Sequence, residues 1–315
     1  MDKKAFDSLS AILPTAAPIK KPTHIWIIEW LPSSDERTGQ KLHQWMEEQK
    51  KNQGYPFRSV YRRCSTKEKV LDEIDRAAAH AEHYGTLPLI HLEAHGSEDG
   101  LSDKKNALIW NELVKPLQKL NCLTRYNLTV MVAACKGFEG FRSFGWAFEQ
   151  AMDKKESSFS KLPVAPAVVI AGPVEGLGPG NLLSGTKEFY RQLGKVTSDF
   201  NDIISSSTIE AGCDFRASKY PVFLFESWVY SVIIPMHYER NRLVGLEKRK
   251  FEEKFSRFFE PERYQHAWDA IFMVDSYPEN RKRFGVNWSD VFKSISGIQG
   301  KDDFVKSPIF QKIIS

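Results

Sequence analysis

The chain has 315 residues, of which 42% are hydrophobic and 27% charged, and its formal net charge is +4. A chain of this length buries a sizeable core without covalent staples, and its interspersed basic and acidic residues leave no footprint of a dedicated nucleic-acid binder. The cysteines Cys64, Cys122, Cys135 and Cys213 are scattered with no CxxC pair, which argues against a disulfide framework and a structural zinc site.

Residues 1–22 carry Pro14, Pro18 and Pro22 and read as an irregular arm; Asp7 interrupts their apolar stretch, against a secretory signal. HIWIIEW (24–30) is a β-rich run stopped by Leu31-Pro32-Ser33-Ser34, and Leu42, Trp45 and Met46 then recur at helical spacing. FRSVYRR (57–63) alternates like a strand. Ser65 with Glu68 resembles a capping box opening a helix that carries Val70, Ile74 and Ala78 on one face.

LPLIHLEA (87–94) is the next strand, ending at His95-Gly96, and Trp110, Leu113, Leu117 and Leu120 mark a helix. LTVMVAAC (128–135) is a nearly continuous apolar run, as a central strand covered on both faces should be. Phe141, Phe144 and Phe148 stripe a further helix, VAPAVVIAG (164–172) is another buried strand, and a helix is expected from about Thr186. Residues 221–236 form an apolar run that contains Glu226 and is short for a membrane span, so a buried strand or core helix is the reading. The remainder is helical and strongly charged, with Phe251, Phe255, Phe258 and Phe259 as an apolar stripe.

The alternation of strands and helices up to about residue 195 predicts an α/β fold with a mostly parallel central sheet and helices on both faces. The expected division is an arm over 1–22, an α/β domain over 23–235 and a helical C-terminal extension over 236–315. The expected location is the cytoplasm, with no membrane contact and no direct nucleic-acid partner.

In open α/β sheets, active sites lie beyond the carboxyl ends of the strands. His95 follows one apolar strand and Cys135 ends another. If these strands are neighbours, a thiol and an imidazole emerge at one edge, as a Cys–His mechanism requires. Gly96 has no Cβ and permits close backbone approach, and the N–H groups of Gly96 and Cys135 are candidates to face a developing oxyanion. Taken singly, each residue is more often structural.

These blocks carry a resemblance. IHLEAHGSEDGL (90–101) resembles the His-Gly block of clan CD cysteine peptidases, the caspase, legumain and separase group, and TVMVAACKGFEG (129–140) resembles their strand-then-Cys block. ALIWNELVKPLQKL (107–120) is similar to the Trp-containing helix of the caspase-like bacterial CHAT proteases, and residues 168–193 to their next strand, loop and helix. The resemblance implies a caspase-like three-layer α/β sandwich over residues 24–195 and a Cys-His dyad needing no third residue. Cys135 would be the nucleophile, His95 its partner, a thioester the intermediate, and no cofactor or metal would take part. It further implies a protein substrate and an activating protein or complex, as in bacterial defence or cell-death systems. The primary pocket is not transferable, because Ala133 stands where caspases place Gln and legumains Glu. Glu93, Ala133, Arg37 and Glu175 are the candidate pocket residues, with Asp35 and Glu36 as further loop charges. The polar segment 153–161 is a candidate for self-cleavage.

Other readings compete. His91, Glu93 and His95 share one strand face and are a conceivable metal set, although no HExxH or further ligand cluster accompanies them. The loop GPVEGLGPGN (172–181) lacks a P-loop pattern and reads as a mobile substrate loop, and no GxSxG marks a serine hydrolase. The non-enzymatic alternative is a caspase-like scaffold that binds a partner through its C-terminal helices.

Overall fold

A computed structural model describes residues 20–139, 164–195 and 200–296. Most of the N-terminal arm, the helix expected around Phe141–Phe148 and the segment 153–161 lie outside them. The chain divides into two compact units. Among the described residues, one takes in 20–139, 164–195 and 200–220, and the other 221–296.

The first unit is built on a sheet whose strands run in the order β2-β1-β3-β6-β7-β8. These are β1 (His24–Trp30), β2 (Arg58–Arg63), β3 (Pro88–Gly96), β6 (Thr129–Ala133), β7 (Val169–Pro173) and β8 (Phe215–Lys219). All pairings along this path are parallel except β7 with β8. A short hairpin, β4 (Gly100–Ser102) and β5 (Ala107–Ile109), pairs antiparallel with the end of β3. The fold class is the one expected: mixed α/β with a mostly parallel central sheet between helices.

Alternation along the strands decides which helix covers which face. Ile25, Ile27, Leu89, Met131, Ala133 and Ala171 cluster with α1 (Thr38–Gln53), α4 (Pro179–Gly194) and α5 (Phe200–Ala211). Trp26, Ile28, Ile90, Leu92, Val130 and Val132, equally buried, belong to the opposite face. On that side α2 (Lys67–Tyr84) packs on β1 and β3 and against α3 (Trp110–Leu123). Burial of β3 and β6 on both faces explains why they read as continuous apolar runs.

Two local expectations shift, and one left open between strand and helix is decided. The cap of α2 is Thr66, whose side chain accepts from the Lys69 N–H at 3.3 Å, rather than Ser65. Helix α4 begins at Pro179 instead of near Thr186, because proline at the first helical position costs no hydrogen bond and is already set at a helical φ. Residues 221–234 are helical, with a π-helical turn over Val229–Ile233, so the compact sheet unit closes at Tyr220.

The second unit contains α6 (Tyr220–Trp228), α7 (Ile234–Arg242), α8 (Gly245–Phe255), α9 (Pro261–Ile271), α10 (Pro278–Phe284) and α11 (Trp288–Ile295). Its core is aromatic: Phe225, Tyr264, Trp268, Phe272, Phe284 and Trp288 are fully buried and lie ring against ring. The stripe Phe251, Phe255, Phe258 and Phe259 is only half-buried. No helix among the described residues is long and apolar enough to cross a membrane.

Candidate active site

Strand register brings the two candidate side chains to one edge. Strands β3 and β6 are parallel neighbours in which Glu93 lies opposite Ala133. Two residues further along each chain stand His95 and Cys135. Because side chains alternate, both leave the sheet on the face covered by α1 and α4. They line one cavity of about 300 Å³, together with Leu31, Asp35, Glu36, Thr38, Glu93, Ala94, Lys104, Leu177, Pro179 and Leu182.

The chain leaves β6 through a tight turn at the cysteine. The Gly137 N–H donates to the Ala134 carbonyl at 2.9 Å, and Lys136 takes a left-handed φ of 55°. For a residue with a side chain this costs roughly 1–2 kcal/mol. The Lys136 N–H donates to the Glu175 carbonyl at 3.3 Å, and its ammonium pairs with Glu98 at 2.6 Å. These contacts hold a turn that lifts Cys135 out of the sheet plane, half-buried, with its thiol 4.0 Å from the Leu177 carbonyl oxygen.

Gly96 is a steric requirement of this arrangement. A Cβ there would lie 2.1 Å from the Cys135 carbonyl oxygen and 2.9 Å from the Ala134 Cβ. Only glycine lets the end of β3 run against the backbone of the cysteine turn.

His95 has a partner that a dyad does not require. Its Nε2 lies 2.5 Å from the Asp35 carboxylate, which returns from the loop after β1. Lys104, in the loop of the β4–β5 hairpin, meets the same carboxylate at 2.8 and 3.0 Å. Lys104 first and His95 second hold the Asp35 carboxyl down to about 2. An ionised carboxylate only accepts, so Nε2 carries the proton and Nδ1 is the ring nitrogen left to take one.

Glu93 is buried in the cavity wall, at 3% exposure, rather than sitting at a rim. One of its oxygens accepts from Thr38 Oγ1 and the other meets His91 Nε2 at 2.8 Å. His91 Nδ1 in turn meets the Tyr190 hydroxyl at 2.8 Å. The face-sharing of His91, Glu93 and His95 therefore serves hydrogen bonding. Among the described residues no cluster of three or more potential ligands is placed to hold a metal ion.

The remaining candidates fall outside the cavity lining. Ala133 is fully buried in the core under α1 and α4. Arg37 is close enough to Tyr61 for its charge to favour the phenolate, and Glu175 is exposed and engages Lys136 through its carbonyl. Of the loop charges, Glu36 does line the cavity and pairs with Lys41 at 2.6 Å. The loop expected to be a substrate loop supplies Leu177 and Pro179 to the wall.

Asp35 was visible in the sequence only as one loop charge among several, and Lys104 carried no signal of its own. Its loop did: Ser102-Asp103-Lys104-Lys105-Asn106 has turn composition between two apolar pairs. Asp103 Oδ1 accepts from the N–H groups of Lys105 and Asn106, as an Asx turn does.

No protein-family model matches the chain. No curated protein matches it either. Among solved structures, it is similar to gingipain R, an Arg-specific cysteine proteinase. The identity is 15% and the TM-score 0.37, over 66% of this chain and 46% of that one. The chain thus spans about half the length of that proteinase.

Proposed function

We propose that the protein is a cysteine endopeptidase in which Cys135 is the nucleophile and His95 its acid–base partner. The observation that carries this reading is the convergence of Cys135, His95 and Asp35 on one cavity at the carboxyl edge of a parallel sheet. In the proposed cycle His95 Nδ1 takes the thiol proton as the sulfur attacks the substrate carbonyl. The oxyanion faces the N–H groups of Gly96 and Cys135. The imidazolium then protonates the departing amine, a thioester remains, and water activated by His95 hydrolyses it. Asp35 acts as a positioning residue, holding the imidazole in the tautomer that leaves Nδ1 open. The resemblance to CHAT proteases extends the proposal to an effector that is switched on by an activator and cuts a partner protein in bacterial defence or cell death. That extension rests on the resemblance alone.

The test is labelling with electrophilic peptide probes read by intact mass. Wild type should take one adduct at Cys135, and Cys135→Ala none. His95→Ala should slow labelling at least about a thousandfold, as when members of a catalytic unit are removed. Wild-type protein inert to every probe, with cellular extract present as a source of activator, would favour the scaffold reading.

A further inference from the structure

The lining of the cavity mixes apolar walls with a few charges whose pairing can be followed one by one. Asp35 is held by Lys104 and His95, and Glu36 is met by Lys41. Glu93 is different. Among the described residues no lysine or arginine pairs with it; its partners are the Thr38 hydroxyl and His91.

The protonation of His91 follows from its other contact. Tyr190 is fully buried, and a buried phenol proton needs an acceptor. His91 Nδ1, 2.8 Å away, is the acceptor in reach. The Nε2 of the ring then carries the proton and donates it to Glu93, leaving a neutral imidazole. Both Glu93 oxygens accept one neutral donor each, and the negative charge has no buried counter-ion. A carboxylate in that state, in a cavity that Leu31, Ala94, Leu177, Pro179 and Leu182 line with apolar surface and whose one lysine, Lys104, is already engaged by Asp35, suits one kind of occupant. That occupant has an apolar stem and a cationic head, as lysine and arginine side chains do. An acidic side chain would enter a cavity already carrying Asp35, Glu36 and Glu93, and like charges in a desolvated site are a strong means of rejection.

We infer that this cavity is the primary specificity pocket, that it takes a lysine or arginine side chain from the residue preceding the scissile bond, and that Glu93 reads its charge. Thr38 and His91 fix the carboxylate, and Tyr190 fixes His91, so the reading group is set before substrate arrives. The inference rests on the peptidase reading above and deepens it.

The experiment uses the full chain and four electrophilic peptide probes that differ only in the residue next to the warhead: arginine, lysine, leucine or aspartate. The arginine and lysine probes should label Cys135 at least about tenfold faster than the other two. Glu93→Gln should shrink that ratio by roughly ten- to hundredfold, the effect of losing a charge-assisted hydrogen bond. If Glu93→Gln does not fold by circular dichroism, the wild-type ratios decide. Equal rates, or faster labelling by the leucine or aspartate probe, would overturn the inference and leave the peptidase reading intact. Labelling by none of the four would overturn the peptidase reading. An arm independent of catalysis uses the Cys135→Ala chain: agmatine, an arginine side-chain mimic, should raise its melting temperature in a dose-dependent way. No rise at any dose would overturn the inference whatever the probes show.

Discussion

The two units solve burial in opposite ways. In the sheet unit the interior near the site is polar and paired. Glu29, 1% exposed, accepts from the Gln40 N–H at 3.2 Å and the Tyr61 hydroxyl at 2.9 Å, and Glu93 and His91 satisfy each other. In the helical unit the interior is a stack of rings around Trp268, whose indole N–H donates to the Phe284 carbonyl at 2.6 Å. Paired polar groups are directional and fix positions to fractions of an ångström, whereas aromatic packing supplies area and tolerates small shifts. The contrast teaches where to look for chemistry: the unit that buries the carboxylates Glu29 and Glu93 among hydrogen-bond partners is the one holding a thiol and an imidazole at a cavity.

The contrast can be broken at its strongest point first. Trp268→Ala removes the centre of the ring stack and should destabilise the helical unit by about 3–5 kcal/mol, measured as the shift of a denaturant midpoint. Gly96→Ala forces a methyl against the Cys135 carbonyl and should cost about 1–3 kcal/mol. It should also displace the thiol, read as slower probe labelling in protein that still folds. An unchanged labelling rate would mean that the close approach of β3 to the cysteine turn has no bearing on reactivity.

Asp35→Asn tests whether paired polar groups position the imidazole. The loss expected is about tenfold to hundredfold in kcat with KM nearly unchanged, and Asp35→Glu should recover part of it. A loss seen only in KM would assign Asp35 to substrate binding instead. Lys104→Met, by removing the largest influence on Asp35, should let that carboxyl titrate nearer its ordinary value of 3.8, followed by NMR.

The smallest effect concerns His237 in the helical unit, buried between Phe259 and Phe292. Burial, with the Arg240 charge adding to it, pushes this imidazole from 6.5 down to about 4. The unfolded chain therefore takes a proton that the folded chain refuses, and stability should fall as pH drops from 6.5 towards 4. His237→Phe should flatten the melting temperature across that window; an unaltered slope would place the titrating group elsewhere.

Much of this was legible in the chain. Apolar runs at 87–94 and 128–135 marked β3 and β6, and their endings marked His95 and Cys135, because a strand buried on both faces has no polar alternation to hide it. Residues 221–234 were ambiguous between strand and helix, since a short apolar run has no decisive period. The β4–β5 hairpin, three residues to a strand, was too brief for periodicity to show. Arg37, Glu175 and Ala133 stand out in the sequence by charge or by position in a motif, and neither property reports which way a side chain leaves the backbone.

Residue spacing alone marks β1, β2, β3, β6 and β7, their alternation with helices, and the glycine that follows His95. Those depend on local spacing and on side-chain volume, which act over a few residues. Folding alone brings Asp35 to His95 across 60 residues of chain and to Lys104 across 69, and sets Glu93 in the cavity wall with Thr38 and His91 bound to it. Contacts of that range depend on strand register and on the course of two loops, and a one-residue slip in either would point the same side chains into the opposite layer.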